Sequence, residues 1–172
     1  DFLGTSRQLN VHDIVANIIT QSWVLLLYGS LRDEGEPKKA FDKAILNSKK
    51  TAMSLSDFFC VERHKNNFLE LVKNKLDIIF ANEQEFLTLI DAKSIEEVIS
   101  FSKILKKNIV ITRGEKGALA INHNEVIECT AKKKLKIIDL TGAGDVFAAG
   151  YVHGVVSKMG AKECKVKWTE VK

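Results

Sequence analysis

The stretch "DLTGAGDVFAAG", residues 139–150, sets Gly142, Ala143 and Gly144 immediately ahead of an acid, Asp145, and follows that acid with apolar residues. "LKIID" before it reads as a strand ending at Asp139. The segment after "TGAGD" reads as a helix that begins near Gly144 and runs to about Lys158. A Gly-rich turn between a strand end and a helix start leaves the backbone N–H groups of Gly142, Ala143 and Gly144 free, with the positive end of the helix behind them. That is an anion site, and small residues let a phosphate come close to the backbone. Asp145 then has two readings. It is either an acid in the first helical turn, stabilised by the macrodipole, or a general base that takes a proton from a hydroxyl attacking a phosphoryl group. Two familiar phosphate motifs fail here. A Walker A loop needs Lys and then Ser/Thr after its last Gly, where Asp145 and Val146 stand, and GxGxxG needs Gly where Phe147 stands.

Outward from this stretch, apolar runs alternate with segments of helical period. "WVLLLYG" (23–29), "TAMSLS" (51–56), "DIIFAN" (77–82) and "NIVITRG" (108–114) read as strands. "EPKKAFDKAILNSKK" (36–50), "VERHKNNFLELVKNK" (61–75), "EQEFLTLI" (83–90) and "SIEEVISFSKILKK" (94–107) read as helices. Pro37 falls in a first helical turn, where its missing N–H costs nothing. "GALAIN" and "EVIECTA", parted by "HN", read as a hairpin. The alternation predicts an α/β fold, a mostly parallel sheet covered by helices on both faces. Ligands gather at the carboxyl ends of strands in such sheets.

Two further segments stand at such ends. In "FANEQEF", Asn82 and Glu85 form N-x-x-E. This is either a capping box or an acid held near a magnesium ion on nucleotide phosphates, with water between. In "VITRGEKGALA", Gly114 and Gly117 bracket a tight turn. Thr112 and Arg113 at the strand end either begin an ordinary connection or face phosphates, Arg113 with a planar charge.

Composition narrows the classes. The 172 residues suit one domain with a real core. An apolar content of 45% with 28% charged residues is that of a soluble globular chain. The most apolar run is too short to span a membrane, and "DFLGTSRQLN" carries no secretory signal. That opening, which lacks Met, reads as the start of a piece of something longer. Cys60, Cys129 and Cys164 are odd in number and widely spaced, which fits a reduced, cytoplasmic setting. The four histidines lack zinc-ligand spacing. The net charge of +4 gathers toward the end, where "KKKLK" (132–136) has no interleaved aromatics for stacking bases. It reads as a solvated turn whose positive rim attracts an anionic ligand. Neither nucleic acid nor membrane is an expected partner.

"NEQE", "TRGEKG" and "DLTGAGDVFAAG", in that order, resemble the ribokinase-like carbohydrate kinases, the PfkB family. The likeness covers nearly all of residues 1–160. It implies a three-layer ribokinase-like fold, present only in part, with the early strands and the lid that hold the acceptor largely absent. It implies a single partial kinase domain over 1–172, the half that carries ATP, Mg²⁺ and the base. Asp145 corresponds to the catalytic base, and Gly142, Ala143 and Gly144 to the anion hole. Asn82, Thr112, Arg113, Gly114, Gly117 and Thr141 fall to ATP, and Glu85 to magnesium through water. A monovalent cation near the Asp139 loop belongs to the same implication.

"LSDFFCVERHKNNFLELV", "TRGEKG" and "FLGTSRQL" look most like bacterial adenosine-kinase-like members. Phe58 replaces their usual Pro, and "LYGSLRDEGEP" departs from their pattern. The expected activity is ATP-dependent phosphorylation of a primary hydroxyl on a nucleoside or sugar. A sugar kinase of the ribokinase/fructokinase branch and a non-catalytic nucleotide-binding fragment are the alternatives. The chain alone is expected to be inactive, because phosphoryl transfer depends on positioning both substrates. The expected assembly is a monomer or a homodimer.

Overall fold

The structure, a computed structural model, describes residues 25–28, 36–131 and 142–157. Six strands, β1 (Leu25–Tyr28), β2 (Thr51–Ser54), β3 (Ile78–Asn82), β4 (Asn108–Thr112), β5 (Ala118–Ile121) and β6 (Val126–Cys129), form one sheet in chain order. The pairs β1–β2, β2–β3 and β3–β4 are parallel, while β4–β5 and β5–β6 are antiparallel. Five α-helices accompany them among the described residues: α1 (Glu36–Asn47), α2 (Phe58–Asn74), α3 (Glu83–Ile90), α4 (Ile95–Leu105) and α5 (Ala143–Val156).

Strand order explains where the helices lie. The parallel strands advance in one direction across the sheet, and right-handed crossovers therefore deliver their helices to the same face. Phe41 and Ala44 of α1, Val61, Phe68 and Val72 of α2, Phe86 and Leu89 of α3 and Val98 of α4 share one buried cluster. Alternate strand residues complete it: Met53, Ile79, Ala81, Ile109, Ile111, Leu119 and Ile121. The intervening residues point the other way, as the two-residue period of a strand requires. Ala52, Ile78, Phe80, Val110, Ala120 and Ile127 form a second cluster with Ala148 and Tyr151 of α5. The rings of Phe80 and Tyr151 meet edge to face at 5.5 Å. With both faces covered, the strands read as near-continuous apolar runs.

The expected strands and helices that fall on described residues are present, with small shifts at their ends. α2 begins three residues before the expected segment, because Asp57 caps it: its Oδ1 accepts the Cys60 N–H at 2.7 Å. The β5–β6 hairpin turns where expected, and Asn122 Oδ1 accepts the N–H groups of both Asn124 and Glu125. The expected strand "LKIID" lies outside the described residues. So do Cys164, Thr141 and the "KKKLK" run. No helix among the described residues is long and apolar enough to cross a membrane.

Candidate active site

Three chain segments far apart in sequence end at one place. β2, β3 and β4 are parallel, so their carboxyl ends share one edge of the sheet, and the N-terminus of α5 arrives beside them. A cavity of about 520 Å³ opens there, within the size range of small-molecule sites. Ser54 and Ser56 line it from the end of β2, and Asn82 and Glu85 from the β3–α3 junction. Thr112 closes β4, and Gly142, Gly144 and Asp145 stand at the start of α5.

The α5 end has the form the sequence suggested. Gly142 is the N-cap, at φ 75°, a left-handed conformation that favours glycine. The Val146 N–H closes the first turn onto the Gly142 carbonyl at 3.0 Å. The preceding amides have no intrahelical acceptor, and no side chain caps them. A Cβ built on Gly142 or Gly144 would meet nothing within 4 Å, so open space lies beside both. Asp145 is exposed in the first turn of α5.

At the β3–α3 junction the capping box is complete. Asn82 Oδ1 accepts the Glu85 N–H at 2.8 Å, and Glu85 Oε2 accepts the Asn82 N–H at 2.9 Å. Glu85 Oε1 also accepts from Asn82 Nδ2 at 2.6 Å. Glu85 is 6% exposed. Burial pushes its carboxyl above the ordinary range, the Asn82 backbone hydrogen bond pulls it back in part, and the charge of Asp57 raises it further. Structural cap and cavity-lining acid are thus one residue. Each Glu85 oxygen accepts from Asn82 and, as a carboxylate oxygen, retains acceptor capacity. That donor set fits a Mg²⁺ ion held through its own water shell. Among the described residues no group of three or more His, Cys, Asp or Glu could cage a metal directly.

The β4–β5 turn differs from expectation. Arg113 does not line the cavity. Its Nε donates to Glu83 Oε2 at 2.9 Å, and its Nη1 lies 3.7 Å from Glu128 Oε1. Gly114 and Gly117 also lie away from the cavity lining. Gly117 has a packing reason of its own: at φ 92°, a Cβ there would fall 1.8 Å from the Cys129 carbonyl oxygen. Ala143 does not line the cavity either, and Thr141 and the Asp139 loop lie outside the described residues. Sequence reasoning passed over Ser54, Ser56, Phe80 and Phe147, all of which line it. The ends of "TAMSLS" and "DIIFAN" carried the signal for the first three, since a parallel strand delivers its last residues to the ligand edge. Ser56 adopts φ 75° without being glycine, which no sequence signal announces.

The model of the pfkB family carbohydrate kinases matches residues 16–165. The chain belongs to that family. A cytidine kinase from Thermococcus kodakarensis is 31% identical over 105 residues, which is 58% of this chain and 37% of that protein. The adenosine kinase structure from Sinorhizobium meliloti superimposes with a TM-score of 0.87 at 32% identity, over 92% of this chain and 50% of its own. A ribokinase-II-type protein from E. coli, solved with ATP and Mg²⁺, shares the fold. Its TM-score is 0.80 at 20% identity, over 92% of this chain and 53% of its own. The chain thus spans about half the length of these solved relatives. The three-layer α/β architecture is that of the ribokinase-like kinases.

Proposed function

We propose that the protein carrying this chain is an ATP- and Mg²⁺-dependent kinase that phosphorylates a primary hydroxyl of a nucleoside. The observation that carries the proposal is the convergence on one cavity of Asp145, the uncapped amides of α5 and the Asn82–Glu85 pair. Residues of the first and last of the family's motifs, Asn82, Glu85, Gly142, Gly144 and Asp145, line that cavity with Thr112.

In this reading the carboxylate of Asp145 accepts the proton of the acceptor hydroxyl. The hydroxyl oxygen bonds to the γ-phosphorus, the bond from that phosphorus to the β,γ-bridging oxygen breaks, and ADP leaves with the electron pair. The amides at residues 142–144 face the charge on the transferring phosphoryl oxygens, preorganised and without reorganisation during the step. Thr112, with Thr141, offers a hydroxyl to the nucleotide phosphates. Asn82 orients Glu85, which would hold a Mg²⁺ ion through water. Bound Mg²⁺ supplies neutralisation of phosphate charge.

The named activities of the relatives support a nucleoside acceptor, and the sugar-kinase branch is the alternative. The test is to assay the whole protein with Mg-ATP against nucleosides and free sugars, reading ADP release. Preference for a nucleoside supports the proposal, a clear preference for a free hexose moves the protein to the sugar branch, and no acceptor-dependent ADP release overturns it.

A further inference from the structure

Arg113 stands one residue after Thr112, which lines the cavity, yet its guanidinium turns to Glu83, one residue after Asn82 on the opposite segment. The pair is partly buried, with the Arg113 side chain 14% exposed and Glu83 26%. Lys116 lies 4.0 Å from the other Glu83 oxygen, but it is well exposed and adds little. Thus a single shielded ion pair ties the end of β4 to the first residue of α3.

We infer that Arg113 is a positioning residue whose task is to neutralise and hold Glu83, not to grip phosphate. The inference rests on the kinase reading of the cavity. Glu85 and Asp145 line a site built for polyphosphate and have work there, while Glu83 directly follows the lining residue Asn82 and has none. A helix start tolerates an acid, but an unneutralised one beside the phosphates repels them. Arg113 cancels that charge, and it ties together the segments that leave the sheet just after the paired residues Asn82 and Thr112.

This reading and a phosphate-gripping Arg113 differ in whether removing Glu83 as well restores what Arg113→Met loses. The measurement is the ATP dissociation constant of the whole protein with Mg²⁺, alongside KM and kcat. Arg113→Met exposes the Glu83 charge and should weaken ATP binding about fivefold, the scale of one uncompensated carboxylate near a phosphate site at a protein surface. KM should rise while kcat changes little. Adding Glu83→Gln to that variant should recover affinity to within roughly twofold, while Glu83→Gln alone, which leaves the Arg113 charge uncompensated, should bind ATP as well as wild type or more tightly. If Arg113 gripped phosphate, the Arg113→Met loss would persist in the double variant, and that result overturns the inference. Should Arg113→Met fail to fold, Arg113→Lys keeps a cation opposite Glu83 and is expected to bind ATP nearly normally, and a large loss there counts against the role. Coupling of the two residues in Tm, measured without nucleotide, tests the pair separately. A protein that shows this coupling but no turnover would refute the kinase reading and leave the pair standing.

Discussion

Asn82 and Glu85 cap each other at the start of α3: each accepts the other's backbone N–H, and a third hydrogen bond joins their side chains. The two readings of N-x-x-E in the sequence are therefore compatible. The box that starts the helix also fixes a buried acid on the wall of the cavity, and the cost of burying that acid appears as its raised pKa.

Glu85→Gln separates the two roles. Gln preserves the box, gives up the bond from Asn82 Nδ2 and removes a buried charge. Because the folded protein holds Glu85 above its ordinary value, protonated Glu85 favours folding. That contribution is full below the unfolded pKa and is lost as pH rises through the folded one. The variant should therefore gain stability relative to wild type with rising pH and be at least as stable at neutrality. Added Mg²⁺ should raise the Tm of wild type more than that of the variant. Melting curves between about pH 4 and 8, with and without Mg²⁺, check both statements. A variant that loses ground as pH rises would contradict the assignment.

Asn82→Ala removes the cap and one Glu85 partner. A cost of about 1 kcal/mol, up to about 2, is expected, larger than for Glu85→Gln, which keeps the cap. Denaturant unfolding of both variants gives the comparison, and equal stability would argue that the box contributes little.

Gly144→Ala should divide stability from binding. Helix interiors prefer Ala to Gly, and open space surrounds the position. The fold should gain about 0.4–1 kcal/mol. The new methyl group would stand where an anion approaches the amides, so ATP affinity should fall. Parallel calorimetry and melting would detect the opposite signs, and unchanged affinity would remove Gly144 from the anion hole.

Gly117→Ala is expected to damage the fold without reaching the cavity. The methyl would collide with the Cys129 carbonyl from a left-handed backbone position, at a cost of at least on the order of 1–3 kcal/mol. A drop in Tm with ATP affinity retained at low temperature is the expected pattern. Selective loss of ATP binding at unchanged Tm would return Gly117 to the nucleotide site.

Much of this was legible before any coordinates. Strand and helix segments followed from apolar periodicity, because strands buried on both faces, such as "IIFA" (78–81) and "IVI" (109–111), are continuous apolar runs. Asn82, Glu85, Gly142, Gly144 and Asp145 reached the cavity because each sits where a strand ends or a helix begins, and local signals mark such points. Arg113 was harder. Its neighbour Thr112 faces the cavity, but Glu83, thirty residues earlier, draws its guanidinium away. Pairing across that separation has no local signature. The strain at Ser56 and the contact of Gly117 with Cys129 were hidden for the same reason, since both depend on which segments meet.

The central claim is that Asp145 takes the acceptor's proton. Asp145→Asn keeps the shape and removes the proton acceptor, and the measurement is kcat of the whole protein with Mg-ATP and its preferred acceptor, beside the ATP dissociation constant. The expected result is a fall in kcat on the order of 10²–10⁴, with ATP affinity unchanged or slightly improved as a negative charge leaves the phosphate site. Turnover near that of wild type would contradict the account.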